Sequence, residues 1–241
     1  AVSQPDDNGS YTGTATVADK VQTITDVPDG GKPSSFSSWG VPENLMLKPE
    51  ITAPGGNIYS TLDNGTYGQN SGTSMSSPNV TGCAAVVAQY IKENKLQEKT
   101  GLTVRALAIS LLMSTSKPIT DKTVDLPYSP RLQGSGLAQV YEAVTSPAYL
   151  TTGQRTDGKV KMEFGDDPER TGLYADSFTI GNLTSQPITY KLSSYVATMA
   201  TETIDGMEFM SKSAYELHPN VSFTTEGKVI YTYDVNGDGK M

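Results

Sequence analysis

A helical period governs the first part of this chain and then stops. Val80, Ala84, Val87 and Ile91 fall at i, i+4, i+7 and i+11, which places them on one face of a helix. A second helix is predicted to start at Thr103, with Val104, Leu107, Ala108 and Leu111 as its buried stripe. A third, short one carries Leu137, Val140, Tyr141 and Val144. Beyond Pro147 the period is gone, and VKMEFG, SFTIGNLT, ITYKLSSYVATMA and KVIYTYD read as strands broken by Gly, Asp, Asn and Pro. Upstream, YTGTATVADKVQTITDV has the β-branched alternation of one or two strands. LKPEITAPGGNIYST holds a short strand at Ile51 that ends in an Ala-Pro-Gly-Gly turn. The pattern predicts two domains. Residues 1–146 form an α/β portion and residues 147–241 an all-β antiparallel sandwich, with the boundary near Ser146–Tyr149.

Composition narrows the function. The chain of 241 residues carries a formal net charge of −8 with a pI near 4.7, a surface that repels phosphate backbones and argues against nucleic acid as a partner. No apolar run approaches the roughly 20 residues a transmembrane helix needs. The opening AVSQPDDNGS lacks an initiator Met and the basic segment of a signal peptide, so the chain reads as a piece of a longer polypeptide. One cysteine, Cys83, excludes an internal disulfide framework.

The chemistry concentrates in SGTSMSSPNVTG, residues 71 to 82. Gly72 permits an unusual φ or a close backbone approach just before Ser74. A serine at a helix N-terminus has turn amides and the positive dipole end beside it, which suits a developing oxyanion. The Ser74 N–H is a candidate donor to that oxyanion, and losing one such donor typically costs ~2.7–4 kcal/mol of transition-state stabilisation. Small neighbours at Ser76 and Ser77 leave room for a substrate chain. Read without its surroundings, Ser74 could equally be a helix cap and nothing more.

Four blocks occur in order: SFSSWG, KPEITAPG, YGQNSGTSMSSPNVTG and GSGLAQVYEAV. Together they resemble the subtilisin-like serine proteases, the subtilases. Gly72, Thr73, Ser74, Met75, Ser76, Ser77 and Pro78 match that family's serine motif. Ala53, Pro54 and Gly55 match its Ala-Pro-Gly turn, and Gly134, Ser135 and Gly136 its closing Gly-x-Gly. The resemblance covers roughly residues 30–146. It implies a partial subtilisin-like parallel-sheet fold and a serine endopeptidase with Ser74 as nucleophile, supported by Gly72 and Thr73. It also implies a polypeptide substrate and a secreted or cell-surface location.

Subtilases order their triad Asp, His, Ser, and neither an Asp-Thr-Gly nor a His-Gly-Thr block precedes Ser74 here. The family's side-chain oxyanion donor, an Asn after a hydrophobic strand, is missing as well; Asn8 has no such strand before it. By resemblance to the cell-envelope (lactocepin-like) subtilases, the chain corresponds to the part after a protease-associated insert. Its missing N-terminal portion would then be a partner, and residues 147–241 would be a fibronectin type III-like sandwich. Alone, the chain is expected to be inactive.

Three other readings stand beside this one. An α/β-hydrolase order, Ser74 before His218, fails at the elbow, where Ser76 stands in place of the second Gly of Gly-x-Ser-x-Gly. A sedolisin-type serine-carboxyl peptidase shares part of the serine motif, but Met75 and KPEITAPG favour the subtilisin side. A pseudoprotease or interaction module would keep the serine without its base. The tail DVNGDGKM places Asp234, Asn236, Asp238 and Gly239 like the first half of a calcium loop, without the later ligands. No cofactor is therefore expected; calcium stays open as a ligand, though no complete site supports it and tight binding is not expected.

Overall fold

The computed structural model describes residues 30–44, 46–123, 125–153, 155–192, 194, 196–217, 221–225 and 228–233. The chain divides into two units, Ala1–Gly31 and Lys32–Met241, and the elements below belong to the second. The strands expected within YTGTATVADKVQTITDV, along with Asn8, His218 and the tail 234–241, lie outside the described residues.

Order along the chain begins with a hairpin, β1 (Ile58–Thr61) and β2 (Tyr67–Asn70), joined by a 3-10 turn at Asp63–Gly65. Three helices follow: α1 (Thr73–Glu93), α2 (Leu96–Thr100) and α3 (Val104–Ser114). The short ladder β3 (Thr120–Asp121) and β4 (Leu126–Pro127) precedes α4 (Pro130–Gln133) and α5 (Val140–Thr145). Then come β5 (Ala148–Thr152), β6 (Phe178–Asn182), β7 (Val196–Ile204), β8 (Met207–Leu217), β9 (Val221–Thr225) and β10 (Lys228–Tyr233). Among the described residues every named sheet is a two-stranded antiparallel pair of sequence neighbours.

The fold is α/β, as expected. Parallel pairing, however, is confined among the described residues to one bridge, Thr52 with Leu137. Leu137 is also bridged on its other side by Lys117. The Thr52 amide donates to Gly136 O at 2.9 Å, and the Ala138 amide donates back to Thr52 O at 2.9 Å. Parallel strands need neighbours on both sides and covered faces to persist, and here only a single rung is in place.

The periodicity located the centre of the helical core, while Val80, Ala84 and Val104 of the expected stripes are only partly buried. Val87 and Ile91 of α1 pack with Leu107, Ala108, Leu111 and Leu112 of α3 and with Ala143 of α5. Thr103 caps α3, accepting a hydrogen bond from the Ala106 amide at 3.1 Å. The third helix differs from expectation. It begins at Val140, leaving Leu137 in extended chain. Tyr141 is 73% exposed, because the one-and-a-half turns of α5 rotate Ala143, not Tyr141, onto the core.

Strand expectations after Pro147 hold for SFTIGNLT and KVIYTYD, and for ITYKLSSYVATMA only from Val196 onward. VKMEFG is not a strand: residues 160–165 make no ladder. Side-chain ion pairs hold this segment instead. Lys161, with its side chain 6% exposed, lies 3.7 Å from Glu50 and 3.3 Å from Glu163. Lys161 Nζ also donates to Leu47 O at 2.7 Å.

Although β5 lies beyond Pro147, it packs on α3. The Ser110 hydroxyl, fully buried, donates to Leu150 O at 2.6 Å and accepts from the Leu150 amide at 3.2 Å. Ser110→Ala strands both backbone groups in an apolar seam and should cost about 1–3 kcal/mol. Urea unfolding at constant m-value measures that loss, and an unchanged midpoint would contradict it.

Glu50 gathers Lys48, Lys159 and Lys161 around one carboxylate. Burial pushes its pKa up, but hydrogen bonds and charge from Lys48 and Lys159 prevail and hold it below 4.5. Arg155 likewise holds the Asp157 carboxyl well below the usual range. A folded pKa below the unfolded one means stability that is whole above the unfolded value and is lost as pH falls through the folded value. Glu50→Gln should therefore flatten the decline in stability between about pH 6 and pH 3. Parallel declines in the two proteins would refute the assignment.

Candidate active site

The Ala53-Pro54-Gly55 turn and the head of α1 are tied to each other. The Gly72 amide donates to Gly55 O at 2.8 Å, and the Met75 amide donates to Gly72 O at 3.0 Å. Across the base of the β1–β2 hairpin, the Asn57 amide donates to Ser71 Oγ at 2.8 Å. These bonds set the entry of the chain into α1. Gly72 serves as N-cap at φ 156°, a value L side chains rarely adopt.

Ser74 is the second residue of α1 and its side chain is exposed. The capping explanation does not apply, because the cap is Gly72 and no side chain caps this helix. Among the described residues no hydrogen bond engages the Ser74 hydroxyl. Its amide lies in the first turn, where backbone N–H groups have no intrahelical acceptor. Hydroxyl and amide thus sit together at the positive end of a 21-residue helix.

Pro78 lies inside α1. Because α1 begins at Thr73, Pro78 is in the second turn, not the first. Its ring nitrogen has no proton for the Ser74 carbonyl four residues back, so that carbonyl lacks its ladder bond.

Two features escaped the sequence reading. Gly55 approaches the serine turn so closely that a Cβ there would stand 2.0 Å from Ser76 Oγ and 2.8 Å from Gly72 O. The turn that holds Gly55 is local, whereas Gly72 and Ser76 reach it from a later segment of the chain. Glu50, within KPEITAPG, likewise sits in a cluster of lysines, two of which come from residues 159 and 161. Neither contact has a local signal in the sequence. Ser74, Gly72 and Thr73 are adjacent in space as in sequence, whereas the described residues bring no imidazole to Ser74.

A solvent-facing serine therefore stands at the mouth of a helix in an α/β chain. The chain belongs to the Subtilase family, whose profile matches residues 2–136. It is 32% identical over 189 residues to a C5a peptidase of Streptococcus pyogenes, covering 78% of this chain and 15% of that protein. It is also 34% identical over 180 residues to the PII-type and PI-type proteinases of Lactococcus lactis subsp. cremoris, covering 71% of this chain and 9% of each. The chain therefore spans a small fraction of the length of the curated relatives it matches.

Proposed function

We propose that this chain carries the nucleophile of a secreted or cell-surface serine endopeptidase that cleaves polypeptides through an acyl-enzyme on Ser74. The observation that carries the reading is an exposed Ser74 hydroxyl, unneeded for capping, on the first turn of α1 within a subtilase sequence. Ser74 Oγ attacks the scissile carbonyl as its proton passes to an imidazole. The Ser74 amide helps hold the tetrahedral oxyanion. Collapse expels the amine, protonated by the imidazole, and water then releases the acyl group by the same route in reverse roles.

The imidazole, its orienting carboxylate and the second oxyanion donor come, in this proposal, from parts of the parent protein outside residues 1–241. The chain has one histidine, His218. Among the described residues no imidazole accompanies Ser74, and the chain alone should not hydrolyse peptides. The reading calls for no cofactor. Residues 1–146 are the peptidase portion, and residues 147–241 a fibronectin type III-like sandwich, a reading supported by the antiparallel pairs β5–β6, β7–β8 and β9–β10. Among the described residues no helix is long and apolar enough to cross a membrane.

A fluorophosphonate probe applied to the full-length parent tests the proposal. The adduct should map by mass spectrometry to Ser74, and the 241-residue chain alone should stay unlabelled. Labelling of the parent at another serine would overturn the assignment. Hydrolysis by the isolated chain would overturn the claim that its base lies elsewhere.

A further inference from the structure

Residues 155–163 lie beyond the span that matches the family profile, yet their cations converge on a carboxylate inside it. Glu50 Oε1 is paired with Lys48 Nζ, with Lys159 Nζ at 3.0 Å and with Lys161 Nζ at 3.7 Å. A second ring surrounds this hub. Arg155 forks onto Asp157 at 2.9 and 3.1 Å, Lys159 lies 3.8 Å from Asp157, and Lys161 lies 3.3 Å from Glu163. Exposed pairs of this kind contribute little singly, but a nearly buried ammonium such as Lys161 requires its partners. The segment is anchored independently at Gly158, whose Cα is pressed so tightly on Ala106 that a Cβ would stand 2.0 Å from Ala106 O.

From the hub a short backbone run leads to the serine turn, pinned along the way. Glu50 O accepts from both the Ser135 amide and the Ser135 hydroxyl at 2.9 Å. Thr52 exchanges bonds with Gly136 and Ala138, and Gly55 O accepts the Gly72 amide at 2.8 Å. Two residues after Gly72 comes Ser74.

We propose that Glu50 is a positioning residue for Ser74. Its carboxylate ties Lys48, Lys159 and Lys161 together, fixes the 50–55 run, and through Gly55 O sets the orientation of the nucleophile turn. Residues 155–163, although beyond the 1–146 peptidase portion, thereby brace its serine turn. Without the carboxylate, three ammonium groups are left crowded together and drive residues 47–50 away from 159–161. The proposal deepens the peptidase reading and rests on it for its catalytic consequence, but the coupling itself can be measured without catalysis.

Two readouts separate the questions. In the 241-residue chain, Glu50→Gln should speed hydrogen exchange of the Gly72 amide by about five-fold or more. Lys159→Met should act in the same direction, and the double variant should fall short of the product of the two effects. In the parent peptidase, Glu50→Gln should lower kcat about ten-fold with KM nearly unchanged, and Glu50→Asp should recover part of the loss. Unchanged exchange at Gly72 overturns the coupling. Faster exchange with unchanged kcat overturns the positioning role. Should Glu50→Gln not fold, Lys159→Met keeps the carboxylate with two partners and decides the same question. A parent that reacts with no fluorophosphonate sinks the peptidase reading, while exchange at Gly72 still judges the coupling.

Discussion

In the full-length parent, the proposed peptidase function predicts that Ser74→Ala abolishes fluorophosphonate labelling and lowers kcat by roughly 10⁶, with KM little changed. The size follows from what alanine removes. Without the hydroxyl no acyl-enzyme forms, and only substrate binding and the oxyanion donors remain to assist direct attack by water. The amide of residue 74 survives the substitution, so the oxyanion contribution should persist as slow residual turnover. Folding should be nearly unaffected, because Ser74 is exposed, caps nothing and, among the described residues, accepts no hydrogen bond at its hydroxyl. A variant with a thermal midpoint lowered by several degrees would point to a structural serine. One retaining a hundredth of the parent kcat would point to a different nucleophile.

The second large effect is expected at a residue with no reactive group. In Gly55→Ala the new methyl meets Ser76 Oγ at 2.0 Å and Gly72 O at 2.8 Å. The hydroxyl can rotate away, whereas the Gly72 carbonyl is backbone and must move together with its turn. That movement strains the 2.8 Å bond from the Gly72 amide to Gly55 O, which sets the entry into α1. Overpacking of this kind costs about 1–3 kcal/mol. A displacement of the nucleophile approaching 1 Å can cost on the order of 10²-fold in rate. Adding Ser76→Ala discriminates between the two contacts. If Gly72 O is the obstacle, the double variant recovers little labelling; near-complete recovery would assign the clash to the Ser76 hydroxyl.

Legibility in the sequence tracked how local each interaction is. The stripe Val87, Ile91, Leu107, Ala108 and Leu111 was visible because helical burial repeats every 3.6 residues, and all five are buried. Thr103 was readable as a helix start because a cap acts within three residues. Leu137 falls outside the third helix since a stripe of four apolar residues cannot show where a short helix begins, and a shift of one position rotates the face by about 100°. VKMEFG alternates as a strand does, yet a strand needs a partner ladder, and ion pairs with residues 47–50 hold it instead.

The site divides along the same line. The order of residues alone determined membership of the Subtilase family and pointed to Gly72, Thr73 and Ser74 as the proposed nucleophile turn, because that motif is written within a dozen consecutive positions. Tertiary structure alone decided that Ser74 is bare of capping duty and open to solvent. It also decided that Gly55 abuts the serine turn and that Glu50 draws lysines from beyond Pro147. Those facts depend on where distant backbone segments meet, and that is settled by packing and charge neutralisation across the fold, which no stretch of neighbouring residues encodes.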